Sequence, residues 1–348
     1  MREPAVSVAL ATWNGERFLR EQLASIAFQS RRPAELVVCD DRSSDATAQI
    51  LSDFARHAPF PVRVEVNPRR VGYARNFRNA AARCTGDLIA FSDQDDWWGR
   101  DKLDRLAGNF EDPEVMLAYH NARIVDQSRR GTTTLYDARL ERAKIATEPF
   151  APWHHSYGMT QMFRAELRRF DQFWELSLNE IADPVDIMSH DQWYFFLALV
   201  CGKVRFVDEN LVDYRQHSAN SVGADPAGSR RRCRHLARFE HYGHQDARGA
   251  EAARSRAEVL RGIAGAEPGL RNRALGLAER FDVLEERLRR RCETYCGPGV
   301  RDRLRSLTAS VGQGDYGQWP WGFARRSLVR DLISGVALGR ASALGVGL

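Results

Sequence analysis

Apolar residues open the chain in short runs separated by turn chemistry. Residues 6–11, VSVALA, form a continuous β-favouring run, and Thr12-Trp13-Asn14-Gly15 then supplies a turn. Beyond it Phe18, Leu19, Leu23, Ile26 and Ala27 recur at helical spacing until Pro33 stops the pattern. LVVCD (36–40) reads as a second buried strand, Asp41 to Asp45 as a loop, and 46–54 as a helix. VRVEVN (62–67) alternates as a third strand, 72–84 is a helix rich in small residues, and DLIAFS (87–92) is a fourth strand. This alternation predicts an α/β fold with a mixed, mainly parallel sheet flanked by helices, and ligands beyond the strands' carboxyl ends.

Past residue 110 the pattern is less regular. VMLAYHNARIVD (115–126) reads as two short strands, and the polar stretch to about residue 150 as a loop region. Residues 159–170 and 192–201 have helical spacing, and 204–217 reads as strand, turn and short strand. From Ser229 the chain turns rich in Arg, Ala and Leu at helical period, as in LARFEHYGHQ and FDVLEERLRRRCETYC. The expected division is a catalytic part over 1–228, with halves about 1–110 and 111–228, and a helical carboxyl-terminal appendage over 229–348.

Composition narrows the class. With 43% hydrophobic and 28% charged residues the chain is ordinary globular protein, and its net charge of +5 suits anionic partners. No zinc-finger spacing, helix-turn-helix signature or aromatic-basic RNA-binding motif accompanies that charge, so nucleic acid is not expected as a partner. The six cysteines are scattered, as suits a reducing cytoplasm, and Cys292 and Cys296 lack the further ligands a metal site needs. The amino-terminal apolar stretch is too short for a signal peptide or span. Near the carboxyl end, WPWGFARRSLVRDLISGVALGR mixes aliphatics with arginines. It reads as an amphipathic helix on the anionic inner face of the plasma membrane, as a helix packed on the catalytic part, or as a dimer contact.

The strongest chemical signal is Asp93-Gln94-Asp95-Asp96, directly after the fourth strand. Three crowded carboxylates at the ligand end of a sheet repel one another, and Mg²⁺ or Mn²⁺ relieves that repulsion with phosphate oxygens completing the shell. The bland alternative is an acidic loop capping a helix. Asp40-Asp41 ends the second strand and Thr12 the first, which suits a base and ribose, although Asp41 alone is equally a helix cap. Arg75, with Asn76, opens a helix at the same edge, where a cation and amino-terminal amides suit a diphosphate.

VSVALATWNG, VVCDDRSSDAT and VGYARNFRNAAARCTGDLIAFSDQDDWW, in this order, make the chain resemble the family 2 glycosyltransferases of the Rossmann-like GT-A fold over roughly residues 5–223. It looks particularly like bacterial members acting on surface polysaccharides, including rhamnosyltransferase-like proteins. The resemblance implies a UDP-, dTDP- or GDP-linked sugar donor and a glycan or lipid-linked acceptor. It places Thr12, Asn14, Glu16, Asp41, Arg75, Asp93 and Gln94 around the nucleotide sugar, and Asp93, Asp95 and Asp96 at the metal. The family's base sits in an acidic pair before a helix, often Glu-Asp. Here Ser189-His190-Asp191-Gln192 matches with His-Asp, which makes Asp191 the candidate, with Asp183 and Asp186 as competitors and a helix cap as the alternative. Tyr214-Arg215-Gln216-His217-Ser218 resembles the closing segment, in which His217 completes the metal shell and Arg215 faces phosphate or acceptor. Trp98 and Trp193 are weaker acceptor-side candidates, since sugar C–H faces suit aromatics.

The reaction so implied is an inverting displacement without a covalent enzyme intermediate. Two rivals remain at this stage. A sugar nucleotidyltransferase should show a Gly-rich phosphate loop and lysine after the first strand, which TWNG lacks; a catalytically silent subunit of a polysaccharide-synthesis complex should have lost metal or base positions.

Overall fold

The computed structural model describes residues 3–146, 150–181, 186–217, 241–317, 321–337 and 339. Asp183, Ser218, Cys233, Trp319, Arg340 and the first half of LARFEHYGHQ lie outside the described residues. The chain forms two compact units. One takes residues 1–150, 154–171 and 189–226; the other takes 151–153, 172–188 and 227–348.

In the first unit, β1 (Val6–Thr12), β2 (Glu35–Asp40), β3 (Val62–Val66) and β4 (Leu88–Ser92) alternate with α1 (Leu19–Ala27), α2 (Thr47–His57) and α3 (Tyr73–Arg83). These strands pair in parallel in the order β3-β2-β1-β4, with Thr12 opposite Asp40 and Leu10 opposite Ser92. Strands buried on both faces need no alternation, which is why VSVALA reads as one apolar run. Val8, Leu10, Leu36, Val38 and Leu88 pack with Leu19, Leu23 and Ile26 of α1 on one face. On the other, Phe91 meets Phe77 of α3 edge-on at 5.5 Å.

Beyond β4 the sheet changes direction. After β5 (Trp97–Trp98) and α4 (Lys102–Ala107), β6 (Val115–Val125) runs unbroken for 11 residues, where the sequence pattern divides it in two. The polar stretch read as loop contains β7 (Thr133–Thr134) and α5 (Ala138–Ile145), whose amino end is capped by Asp137. The spacing over 159–170 is not an α-helix. A 3-10 turn at Gly158–Thr160 leads into β8 (Gln161–Arg164), which joins β4 and β6 antiparallel and so bridges the two halves of the sheet. After α6 (His190–Cys201), β9 (Lys203–Arg215) is also one strand, parallel to β6 with register shifts about His120 and Asn121.

The second unit is helical. α7 (His241–Ala266) and α8 (Arg271–Cys296), each 26 residues, are joined through a 3-10 turn at Pro268–Leu270 and followed by α9 (Val300–Gly312) and α10 (Arg325–Arg330). The last continues as a π-helix over Asp331–Ala337. Its Asp331 is fully buried and accepts from Arg291 Nε at 2.8 Å, Tyr295 Oη at 2.6 Å and Tyr316 Oη at 2.7 Å, so this charge is both paired and hydrogen-bonded. Among the described residues no helix is long and apolar enough to cross a membrane.

Candidate active site

Thr12, Asp40 and Ser92 end three neighbouring parallel strands at one edge, and the following loops are stitched together by side chains. Asn14 and Glu16 do this directly. Asn14 Oδ1 accepts from Ser44 N at 2.8 Å and Glu16 Oε2 from Ala46 N at 2.9 Å, while Asn14 N donates to Ser43 Oγ at 2.8 Å. Thr12 Oγ1 donates to Asp40 Oδ1 at 2.8 Å, and Ser43 N donates to Asp40 Oδ2 at the same distance. Gln94 reaches back to the first loop, its amide accepting from Trp13 N at 2.9 Å and donating to Trp13 O at 3.0 Å. These residues thus brace one another around the edge where the sequence places a nucleotide.

Asp41 is buried and holds the turn before α3, accepting from Val71 N and Gly72 N at 2.8 Å each and from Asn67 Nδ2 at 3.0 Å. It therefore caps a backbone turn, though not the helix α2 that follows it. Gly72 permits this turn because its φ of 83° lies in the left-handed region. Asn76, one residue past Arg75, ties α3 to the sheet by donating to Cys39 O at 2.9 Å and Thr12 O at 3.2 Å. Arg75 is exposed in the first turn of α3, among amides that favour an anion.

The acidic motif divides by burial. Asp93 and Asp95 are half-buried, whereas Asp96 is fully buried, with Oδ1 accepting from Arg215 N at 3.1 Å and Oδ2 unpartnered among the described residues. His217 Nε2 lies 2.9 Å from Asp95 Oδ2, which brings together two candidates 122 residues apart. Burial, then the carboxylates of Asp95 and Asp191, push Asp93 up to about 8. Burial and the same motif's Asp95 and Asp93 raise Asp96 as well. Such mutual destabilisation is what a divalent cation relieves. However, among the described residues no three His, Cys, Asp or Glu side chains are grouped to hold a metal by themselves. The four-residue set of Asp93, Asp95, Asp96 and His217 is thus not preassembled: Asp95 and His217 are in contact, and Asp96 faces the protein interior. Carboxylate oxygens and an imidazole suit Mn²⁺ or Mg²⁺, which commonly take one or two carboxylates plus substrate oxygens.

Asp191 occupies the first turn of α6, which begins at His190 and is capped by Ser189, not by Asp191. Its Oδ1 accepts from Ser189 Oγ and from Gln192 N at 2.9 Å, and its Oδ2 from Gly158 N at 3.1 Å. Burial raises the Asp191 carboxyl, but neighbouring imidazoles and these bonds outweigh it and hold the group below its ordinary value. His190 is itself pushed down to about 4 by burial. The His190 ring is stacked on Phe77 at 4.0 Å and edge-on to Phe91 at 4.7 Å, anchoring α6 to α3 and β4. Of the competing carboxylates, Asp186 belongs to the helical unit, where it pairs with Arg248 at 3.3 Å.

Three acceptor-side candidates are corrected by their burial. Trp98 and Trp193 are 1% and 0% exposed, so neither presents a ring to a sugar. Lys102 Nζ covers the Trp98 ring at 3.5 Å, and Trp193 Nε1 donates to Asp171 at 2.9 Å. Arg215, at 1% exposure, points its guanidinium at α1, 2.6 Å from Glu21 Oε2 and 4.3 Å from the Phe18 ring centroid. Phe18 also stacks on His217 at 5.0 Å. Phe18 and Glu21 therefore hold the end of β9 beside the acidic motif, a role that no local motif signals.

Gly158 is the other residue the sequence pattern misses. A Cβ there would lie 2.6 Å from His190 Nε2 and 3.5 Å from Asp191 Cβ, while its amide serves Asp191. Gly158→Ala should cost about 1–3 kcal/mol of stability by overpacking and lower turnover by displacing the carboxylate. Urea unfolding and kcat measured together would test this, and wild-type values for both would sink it.

Residues 7–170 match the family model described as glycosyl transferase family 2. The chain carries a family 2 glycosyltransferase domain. An uncharacterized glycosyltransferase of Nostoc sp. is 26% identical over 62% of this chain, which spans 66% of that relative's length. A dTDP-rhamnosyl transferase of Shigella flexneri is 27% identical over 62% of this chain and 74% of its own. Among solved structures, a mannosyltransferase from Pyrobaculum calidifontis in complex with GDP-Man and Mn²⁺ shares the fold. It has a TM-score of 0.50 and 19% identity, over 99% of this chain and 88% of that one. The glycosyltransferase domain thus has the GT-A arrangement of a mixed sheet between helices.

Proposed function

We propose that this glycosyltransferase moves a sugar from a nucleoside-diphosphate donor, with inversion, to a hydroxyl of a glycan or lipid-linked acceptor in cell-surface polysaccharide synthesis. The observation that carries the proposal is the placement of Asp191. An ionised carboxylate, held by three hydrogen-bond donors, stands close enough to the acidic motif to raise Asp93. A base beside a cation-binding motif is what displacement at an anomeric carbon requires.

Asp191 takes the proton of the acceptor hydroxyl as its oxygen bonds to the anomeric carbon and the bond to the diphosphate breaks. Arg75 and the amino-terminal amides of α3 receive the charge developing on the departing diphosphate. Asp95 and His217 would hold Mn²⁺ or Mg²⁺, with Asp93 beside them, and the bound cation supplies further neutralisation of that charge. Asp41 and Asn76 keep the nucleotide edge in register by fixing the start of α3. The named activity of the Shigella relative makes a dTDP-linked deoxysugar the first donor to test.

Calorimetry with dTDP-, UDP- and GDP-sugars, with and without Mn²⁺ or Mg²⁺, should show metal-dependent binding of one nucleotide class. A folded protein that binds none of them would overturn this reading in favour of a catalytically silent subunit.

A further inference from the structure

The helical unit concentrates exposed apolar surface in one part of the chain. Six of the fifteen exposed large hydrophobic side chains among the described residues fall between positions 300 and 337. Val300, Leu304 and Val311 lie four and seven apart on α9, and Val329, Leu332 and Ile333 lie three and four apart at the carboxyl end. Such spacing puts each trio on one helix face. Both helices bury an adjoining face, through Arg303, Leu307 and Ser310 on α9 and through Asp331, Ser334 and Val336 on the last helix, and leave these six side chains exposed at its border. The two helices are neighbours, since Arg303 Nε on α9 donates to Val336 O at 3.0 Å. Leu307 and Val336 carry each stripe into the packing of the unit, and the six exposed side chains extend it outward uncovered.

Charge identifies what covers them. Arg301, Arg305, Arg325 and Arg326 are exposed on the same two helices, against one partly exposed acid, Asp302. The other acids of this stretch, Asp315 and Asp331, are buried on Arg290 and Arg291, so they do not offset the outward charge. Aliphatic stripes flanked by arginines suit the boundary between anionic headgroups and acyl chains. A second copy of the chain would set cationic helices against each other. We propose that α9 and the 325–337 helix form a docking face for an anionic lipid surface. The face lies on the membrane rather than crossing it, and Trp321, which precedes the 325–337 helix, is buried and so does not anchor it.

The test is flotation of the full chain with vesicles of phosphatidylcholine alone or with added phosphatidylglycerol. No sugar donor is present, so the outcome is independent of the transferase reading. The protein should float only with the anionic vesicles. Arg325→Gln with Arg326→Gln should weaken partitioning about fivefold for each arginine removed, and Leu332→Gln with Ile333→Gln about tenfold or more. All four side chains are exposed or at the helix start, so circular dichroism should show an unchanged fold. Failure of the wild type to bind anionic vesicles, or unchanged binding by the arginine pair variant, overturns the proposal. So does a dimer, seen by light scattering, that Leu332→Gln with Ile333→Gln dissociates in a protein indifferent to lipid.

Discussion

Asp191→Asn should leave a folded protein that binds its sugar donor as well as the wild type but turns over about 10²–10⁴ times more slowly. The substitution is nearly isosteric. The amide oxygen can still accept from Gln192 N or Gly158 N, and Ser189 still caps α6 through the reciprocal contact with Gln192. What disappears is the carboxylate that takes a proton. Because the Asp191 carboxyl is held below its ordinary value, it is ionised throughout the neutral range. As the proposed base it should set a limb of the kcat/KM profile on the acid side of the ordinary carboxylate range, with activity lost as pH falls through it. Turnover and donor affinity measured on the same preparation separate the possibilities. Near-normal turnover would remove Asp191 from the chemistry, and a parallel loss of donor binding would make it a structural residue.

The parts of this site that were legible in the sequence are those carried by short segments. β1, β2 and β4 announce themselves as apolar runs, and Thr12, Asp41 and the acidic motif follow directly from where those runs end. β8 did not, because a four-residue strand between 3-10 segments leaves Met159, Met162, Phe163, Leu167 and Phe170 at spacings that imitate a helix. β6 appeared broken because His120 and Asn121 interrupt its apolar pattern. In the fold both are buried, and Asn121 Nδ2 donates to Tyr136 O at 3.0 Å. The tryptophans show the same limit from the other side: sequence gives the ring but not its surroundings, and Trp193 is committed to Asp171 and the core. Arg215 and Glu21 are 194 residues apart, so only the closed sheet reveals that the cation expected at phosphate or acceptor is engaged with α1.

Burial also separates the three carboxylates of the acidic motif, and this leads to the second large effect. Asp95→Asn should lower affinity for Mn²⁺ by at least about 100-fold, beyond the roughly 10–100-fold that outer-sphere changes cost, and donor binding should lose its metal dependence. Asp95 is half-buried and already touches His217, so neutralising it removes both a ligand and the partner that orients the imidazole. Asp96→Asn should behave differently. Its side chain is enclosed and accepts from Arg215 N, so the substitution acts on the joint between the motif and β9, which Phe18 and Glu21 also brace. Its main consequence should be a lower unfolding temperature, with Mn²⁺ affinity changed less than in the Asp95 variant. Calorimetric titration of Mn²⁺ into each folded variant, without donor, distinguishes the two roles. Equal losses of metal affinity would mean that Asp96 turns outward to share the cation, whereas retention of affinity by Asp95→Asn would move the metal site away from this motif altogether.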